Sequence, residues 1–160
     1  MKSSLLIIYF ESLMFELLGE KSPDDLVEDT DEKTKGVADT SNARTLLAED
    51  SPIIRQGVEK LLRSRGFENL VVCSDGVKVW AAIEASRNNG GPLFDLILTD
   101  IEMPGLDGLH LTTRIRKEER LRNTKVVLFS SIVNPKNDNK GNSVDADAQV
   151  AKNSDRLILE

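Results

Sequence analysis

The fold is decided by the stretch Leu96-Ile97-Leu98-Thr99-Asp100-Ile101-Glu102-Met103-Pro104-Gly105-Leu106-Asp107-Gly108. A short apolar run that ends in a turn is typical of a strand covered on both faces. In open α/β sheets, the residues just past the carboxyl ends of the strands line the ligand crevice. Asp100 stands at that point, so its carboxylate is a candidate nucleophile. Partners for it are expected at the ends of other strands of the same sheet.

Strand and helix patterns alternate on both sides of this stretch. Short apolar runs predict five strands, at residues 44–48, 70–73, 96–99, 125–129 and 148–151. A helix is predicted after the first strand, with Ser51 as N-cap, Pro52 in the first turn and Gly66 as its stop. Five alternations of strand and helix predict an α/β fold with a parallel sheet and right-handed crossovers.

The other helices follow from apolar spacing. A second helix is predicted at residues 77–87. A third carries Leu111 and Ile115 on one face and finishes in the charged run at residues 116–122. Residues 134–142 are polar and contain Pro135 and Gly141, so the fourth helix is expected to be short. Residues 154–160 allow only a short fifth helix.

Length and charge divide the chain into three parts. At 160 residues it holds one ordinary domain with some additional chain. Residues 1–42 carry ten acidic and four basic residues, whereas residues 43–160 carry 17 of each. We interpret residues 1–18 as a short N-terminal extension, 19–42 as an acidic linker and 43–160 as the main domain. A neutral main domain has no basic stripe, which argues against direct binding to nucleic acid.

Compartment signals are few. The apolar run at residues 5–10 is only six residues long, Glu11 follows it, and no cleavage site is evident, so we expect neither export nor membrane insertion. Cys73 is the only cysteine and lies in an apolar run, which favours a buried structural thiol in a reducing compartment. We therefore expect a cytoplasmic protein.

Polar residues follow four of the five predicted strands. Glu49 and Asp50 follow the first, Asp100 the third, Ser130 the fourth and Lys152 the fifth. In a parallel sheet these ends share one edge. Three carboxylates repel one another unless a cation lies among them, and an oxygen-only ligand set favours Mg²⁺.

The same residues can support phosphoryl chemistry. A carboxylate such as Asp100 can attack a phosphoryl group if the charge on the transferring oxygens is neutralised. Lys152 would supply positive charge, and Ser130 would donate a hydrogen bond. A backbone carbonyl near Glu102 could complete the metal ligands.

These motifs resemble the receiver domain of response regulators. They comprise the acidic pair at 49–50, Asp100 with Met103-Pro104 and Asp107-Gly108 after it, Ser130 and Lys152. The resemblance covers about residues 43–160 and implies a flavodoxin-like, doubly wound five-stranded parallel sheet of order 2-1-3-4-5. It implies phosphorylation of Asp100 by a histidine kinase, and phosphoryl contacts from Ser130 and Lys152. It also implies Mg²⁺ binding by Glu49, Asp50, Asp100 and the Glu102 backbone carbonyl.

A finer resemblance is to chemotaxis coupling proteins of the CheV type, in which a CheW-like domain precedes a receiver. It rests on the segments at residues 48–52, 128–131 and 146–149. Residues 5–18 resemble the closing segment of a CheW-like domain, which implies that residues 1–18 are a remnant of such a domain. A chemotaxis kinase or a receptor–kinase complex is then the expected partner. Two residues depart from the receiver pattern: Asn153 replaces a proline after Lys152, and Gln149 replaces a switching Tyr or Phe.

The function that this resemblance implies is a phosphoacceptor in a two-component phosphorelay, not an enzyme with a substrate of its own. The alternative is a receiver-shaped module that binds partners constitutively without phosphorylation. A third alternative is a hydrolase using the same carboxylate. It is disfavoured because the sequence after Asp100 lacks the second aspartate that a haloacid-dehalogenase-type phosphatase uses as acid and base.

Overall fold

The computed structural model describes residues 40–130 and 144–151. The predicted segment 1–18, nearly all of the linker 19–42, and Lys152 with Asn153 lie outside the described residues. So do the helices predicted within 134–142 and 154–160. At the end of the predicted linker, Thr40–Asn42 form a 3-10 turn. Thr40 is buried there, and its hydroxyl donates to the Arg65 carbonyl at 2.9 Å.

Five strands form one parallel sheet of order β2-β1-β3-β4-β5, which confirms the predicted fold. The strands are β1 Thr45–Ala48, β2 Leu70–Cys73, β3 Leu96–Asp100, β4 Lys125–Ser130 and β5 Ala148–Ala151. The helices are α1 Pro52–Ser64, α2 Gly76–Asn88 and α3 Gly108–Lys117. A 3-10 turn at Glu119–Leu121 leads to β4. None of the helices in the described ranges is long and apolar enough to span a membrane.

Neighbouring strand residues point to opposite sides of the sheet, so apolar side chains lie on both faces and helices cover both. Leu46 and Ile97 pack with the buried residues of α2 and α3. Leu47 and Leu98 pack with the buried residues of α1 on the other face. β3 is buried along its whole length, as its apolar sequence predicts. Cys73 is buried as expected, and burial raises the pKa of its thiol.

The start of α1 differs from the prediction in one detail. Pro52 occupies the first turn as expected, but Ser51 makes no side-chain cap. Its backbone N–H instead donates to the Glu49 Oε1 atom at 3.0 Å. The buried carboxylate two residues earlier therefore takes over a backbone donor near the helix start.

The end of α3 also differs. The charged run was expected to be helical to residue 122, but α3 ends at Lys117 and Glu118 has an extended backbone. The 3-10 turn that follows buries Leu121, which is 2% exposed and belongs to the core on this side of the sheet. Burial of this one apolar residue outweighs the helical tendency of the charged residues around it.

Ion pairs and hydrogen bonds join the elements at the amino edge of the sheet, where the strands begin. The Arg44 N–H donates to Asp95 Oδ2 at 2.9 Å, and its guanidinium donates to Ser86 Oγ at 2.8 Å. The Arg44 guanidinium also lies 4.5 Å from the centre of the Phe94 ring. Arg44 therefore connects the start of β1 with α2 and the start of β3.

A second network fixes the entry to β5. The Arg116 guanidinium donates to the carbonyls of Asp145 and Thr124, each at 2.8 Å, and to Asp147 Oδ2 at 2.6 Å. Asp147 Oδ2 also accepts from the Val126 N–H at 2.8 Å. Arg116 therefore holds the last turn of α3 to the beginnings of β4 and β5.

Candidate metal centre

Three carboxylates meet at the carboxyl edge of the sheet, where the strands end. β1 runs directly into Glu49 and Asp50, and β3 ends in Asp100. β1 and β3 are hydrogen-bonded neighbours, with Ala48 opposite Thr99. One carboxylate oxygen from each of the three acids lies within 4.8 Å of the other two. The strand order alone therefore brings together residues 50 positions apart in sequence.

The three acids differ in exposure and in their hydrogen bonds. Glu49 and Asp100 are 1% and 2% exposed, whereas Asp50 is exposed. Glu49 Oε1 accepts from the Ser51 N–H, and Asp100 Oδ1 accepts from the Glu102 N–H at 3.1 Å. Backbone N–H donors favour the ionised form of a carboxylate and fix its orientation. Two of the three candidate ligands are therefore held inside the protein, and the third is exposed.

This donor set fits a hard divalent cation. All three groups are carboxylates, no nitrogen or sulfur ligand is among them, and one side is open to solvent. Mg²⁺ and Mn²⁺ favour such oxygen ligands and retain waters at open positions. Glu102, whose carbonyl the family resemblance implies as a further ligand, is exposed and lies two residues after Asp100 in the loop that follows β3.

The loop after Asp100 is held close to the metal centre. The Gly108 N–H donates to the Ile101 carbonyl at 3.0 Å. A Cβ atom at residue 108 would lie 2.1 Å from the Asp100 carbonyl oxygen, so only glycine allows this approach. Gly105 has a φ of 80°, in the left-handed region that favours glycine. Gly105 and Gly108 are therefore explained by the backbone conformation and the close packing of this loop.

Asp107 caps α3, the helix that follows the loop after Asp100. Its Oδ1 accepts from the His110 N–H, and its Oδ2 contacts His110 Nδ1, both at 2.8 Å. Burial raises the pKa of Asp107, but the hydrogen bonds from the His110 backbone and ring outweigh it, so its pKa lies below the ordinary value. Asp75 caps α2 in the same way and accepts from the Lys78 N–H at 2.8 Å, which lowers the pKa of Asp75.

The other predicted site residues are only partly within the described ranges. Ser130 ends β4, where its backbone pairs with Ala151 of β5. The Ser130 side chain lies outside the described part, as does Lys152, which follows β5 in the sequence. Gln149 lies in β5 opposite Leu128 and is half-buried. The structure thus brings together the three acids and places the ends of β4 and β5 side by side.

One residue at this edge was missed by the sequence reasoning. Arg55, in α1, donates from its Nη1 atom to the Glu49 carbonyl at 2.9 Å and to the Asp50 carbonyl at 3.3 Å. Its position five residues after an acidic pair, on a helix that starts at that pair, is the signal that could have identified it. A basic residue one turn into this helix can reach back over the turn that precedes it.

Comparison with known proteins places this arrangement in a family. Residues 45–159 match the sequence profile of the response regulator receiver domain. The chain is 33% identical over 109 residues to a gliding motility regulatory protein of Myxococcus xanthus, a match that covers 68% of this chain and 13% of that protein. It is 30% identical over 90 residues to the chemotaxis protein CheY-3 of Vibrio cholerae, covering 56% of this chain and 65% of the relative.

Solved structures agree with this placement. The chemotaxis response regulator CheY4 of Vibrio cholerae superposes with a TM-score of 0.61 at 26% identity, over 72% of this chain and 92% of that one. The chain spans less than two thirds of the length of either sequence relative described above. The relatives include chemotaxis regulators and other kinds of receiver, and they do not single out the CheV type.

Proposed function

The chain belongs to the response-regulator receiver domain family, and on this premise we propose that it is a phosphoacceptor of a two-component signalling system. Asp100 is the proposed acceptor, and a histidine kinase is the proposed donor. The single observation that carries the proposal is the meeting of Glu49, Asp50 and Asp100 at the carboxyl edge of the sheet, inside the region that matches the family.

The proposed reaction is a transfer between two side chains. A carboxylate oxygen of Asp100 forms a bond to phosphorus while the bond from phosphorus to a histidine nitrogen of the kinase breaks. Bound Mg²⁺, held by Glu49, Asp50 and Asp100, would neutralise charge on the phosphoryl oxygens. The Glu102 N–H holds one oxygen of the Asp100 carboxylate, which restricts the orientation of the nucleophile.

The remaining roles rest on sequence position. Ser130 and Lys152 are the proposed donors to the phosphoryl oxygens, and the Glu102 carbonyl is a proposed metal ligand. Movement of Ser130 toward the phosphoryl group would displace the chain after β4 and shift the population of a second conformation. Because Gln149 replaces the usual aromatic residue, we propose that this switch operates without ring movement.

The wider context is also a proposal. The likeness to chemotaxis regulators and the CheV-like segments support a chemotaxis kinase, alone or in its receptor complex, as the partner. In this proposal the protein acts in the cytoplasm as a signalling component, with no substrate beyond its own phosphorylation. Residues 1–18 would be what remains of a CheW-like domain, and residues 19–42 would link it to the receiver.

The test is Mg²⁺-dependent phosphorylation by acetyl phosphate, followed by the intact mass of the protein. Wild type should gain one phosphoryl group in the presence of Mg²⁺, and Asp100→Asn should gain none. Asp95→Asn is the matched control, because residue 95 precedes the same strand at the opposite edge and this variant should be labelled like wild type. Full labelling of Asp100→Asn would overturn the acceptor assignment. Absence of labelling in wild type would favour the constitutive interaction module instead.

A further inference from the structure

Arg55 contacts the turn that carries two of the three carboxylates. Its Nη1 atom donates to the Glu49 carbonyl at 2.9 Å and to the Asp50 carbonyl at 3.3 Å. Its backbone N–H donates to the Ser51 carbonyl at 2.9 Å within the first turn of α1. The side chain and the backbone of one residue therefore hold three consecutive carbonyls of the turn at residues 49–51.

The guanidinium of Arg55 donates to the backbone oxygens of Glu49 and Asp50. One carboxylate oxygen of each of these two residues lies within 4.8 Å of a carboxylate oxygen of Asp100. An arginine paired with the carboxylates themselves would compete with a cation for them. Here the guanidinium fixes the backbone from which both ligands project, and does not occupy a ligand atom.

We propose that Arg55 is a positioning residue for the metal centre, acting chiefly through Asp50. Glu49 is buried and has the Ser51 N–H as a second constraint, so its carboxylate is held independently. Asp50 is exposed, and the guanidinium contact at its carbonyl restrains the backbone that carries it. The inference depends on the proposed function in that it requires these carboxylates to bind a divalent cation.

The direction of the change in metal affinity on removal of Arg55 distinguishes a positioning role from a purely electrostatic one. Removing a positive charge near a cation site strengthens cation binding, because one repulsive interaction is lost. Removing a group that orients a ligand weakens binding, and outer-shell substitutions at metal sites typically cost about 10–100-fold in affinity. If Arg55 positions Asp50, its loss should weaken Mn²⁺ binding although the site becomes more negative.

The experiment is Mn²⁺ binding to the full chain, measured by electron paramagnetic resonance of free Mn²⁺ and repeated for Mg²⁺ by calorimetry. Arg55→Gln should raise the Mn²⁺ dissociation constant about tenfold. Arg55→Lys should retain part of the affinity, because an ammonium group keeps the charge and can reach one carbonyl. Arg63→Gln is the matched control: it removes the same charge from an exposed position of α1 and should bind Mn²⁺ no more weakly than wild type.

A double substitution tests the route through Asp50. In the Asp50→Asn background, Arg55→Gln should have a much smaller effect on Mn²⁺ affinity than in wild type, since coupled residues are not additive. Equal or tighter binding by Arg55→Gln than by wild type would overturn the proposal, and so would an undiminished effect in the Asp50→Asn background. If Arg55→Gln does not fold, Arg55→Lys and Arg63→Gln supply the same comparison. Wild type that binds no Mn²⁺ would refute the metal centre itself, a result distinct from a failure of Arg55 alone.

Discussion

The two edges of the sheet differ in the arrangement of their charged side chains. At the amino edge, the Asp95 carboxylate accepts from the Arg44 backbone N–H, and the Arg116 guanidinium pairs with the Asp147 carboxylate. At the carboxyl edge, three acids of the same sign lie within 4.8 Å of one another. The contacts at the amino edge stabilise the fold, whereas the carboxyl edge gathers charges of one sign.

We propose that the stability of the carboxyl edge is lowered in favour of cation binding. Like charges at short distance are unfavourable unless a cation joins them. The family fold tolerates them because a buried β3 and a closely packed loop after Asp100 hold the backbone in place. Charge removal should therefore have opposite effects on stability at the two edges.

The largest change is expected at the amino edge. Arg116→Met should lower the free energy of unfolding by about 2 kcal/mol, because it removes the donor shared by Asp145, Thr124 and Asp147. Urea denaturation measures the change. Arg122→Met is the control, since the Arg122 side chain is 75% exposed and its loss should change stability by no more than about 0.5 kcal/mol. Equal losses in the two variants would contradict a structural role for the Arg116 network.

A smaller change of opposite sign is expected at the carboxyl edge. Asp50→Asn should raise the stability of the metal-free protein by about 1 kcal/mol, because it removes one of three mutually repelling charges. Thermal unfolding in EDTA measures this gain. With Mg²⁺ added, wild type should recover the difference, since a cation that binds only the folded state stabilises it.

An acidic residue at the amino edge, Glu119, provides the control for Asp50→Asn. Glu119 is 87% exposed and lies 3.9 Å from Arg122, so Glu119→Gln should not raise stability. If Asp50→Asn also failed to raise stability in EDTA, the carboxylates of the metal-free protein would already be compensated. The proposal that charge removal has opposite effects on stability at the two edges would then be wrong.

The smallest change concerns the cap of α3. Because the pKa of Asp107 is lowered in the folded protein, its ionised form adds stability above the unfolded-state pKa, near 3.9, and this stability is lost as the pH falls through the folded-state value. Asp107→Asn keeps a cap but cannot titrate. The stability difference between wild type and this variant should be constant above about pH 5 and shrink below about pH 4. Denaturation midpoints across this range measure it, and a difference that grows in acid would have the wrong sign.

The strands could be predicted from sequence because each is a short apolar run with a turn after it. Residues 70–73 and 148–151 were predicted as strands, and β2 and β5 occupy those residues. The convergence of Glu49, Asp50 and Asp100 also followed from the strand ends, since a parallel sheet gathers those ends at one edge. The stretch at residues 96–108 was informative because it contains β3, which is central in the sheet and buried.

Contacts to backbone carbonyls were harder to predict. Arg116 binds carbonyl oxygens whose positions depend on the turns around them, and no residue type marks such an oxygen in a sequence. For Arg55 the sequence signal is its position five residues after the acidic pair. Ser51 has the residue type of an N-cap but makes no side-chain cap, and its backbone N–H donates to the buried Glu49 carboxylate two residues earlier. The early end of α3 likewise depends on the burial of Leu121.

The proposed phosphoryl acceptor is the carboxylate at the end of β3, which would react with the help of a divalent cation. Borohydride reduction converts an aspartyl phosphate to homoserine, so phosphorylation by acetyl phosphate, reduction and peptide mapping identify the modified residue directly. We expect homoserine at residue 100 in the presence of Mg²⁺ and none in EDTA. Homoserine at residue 50, or at residue 100 with equal yield in EDTA, would overturn the proposed acceptor chemistry.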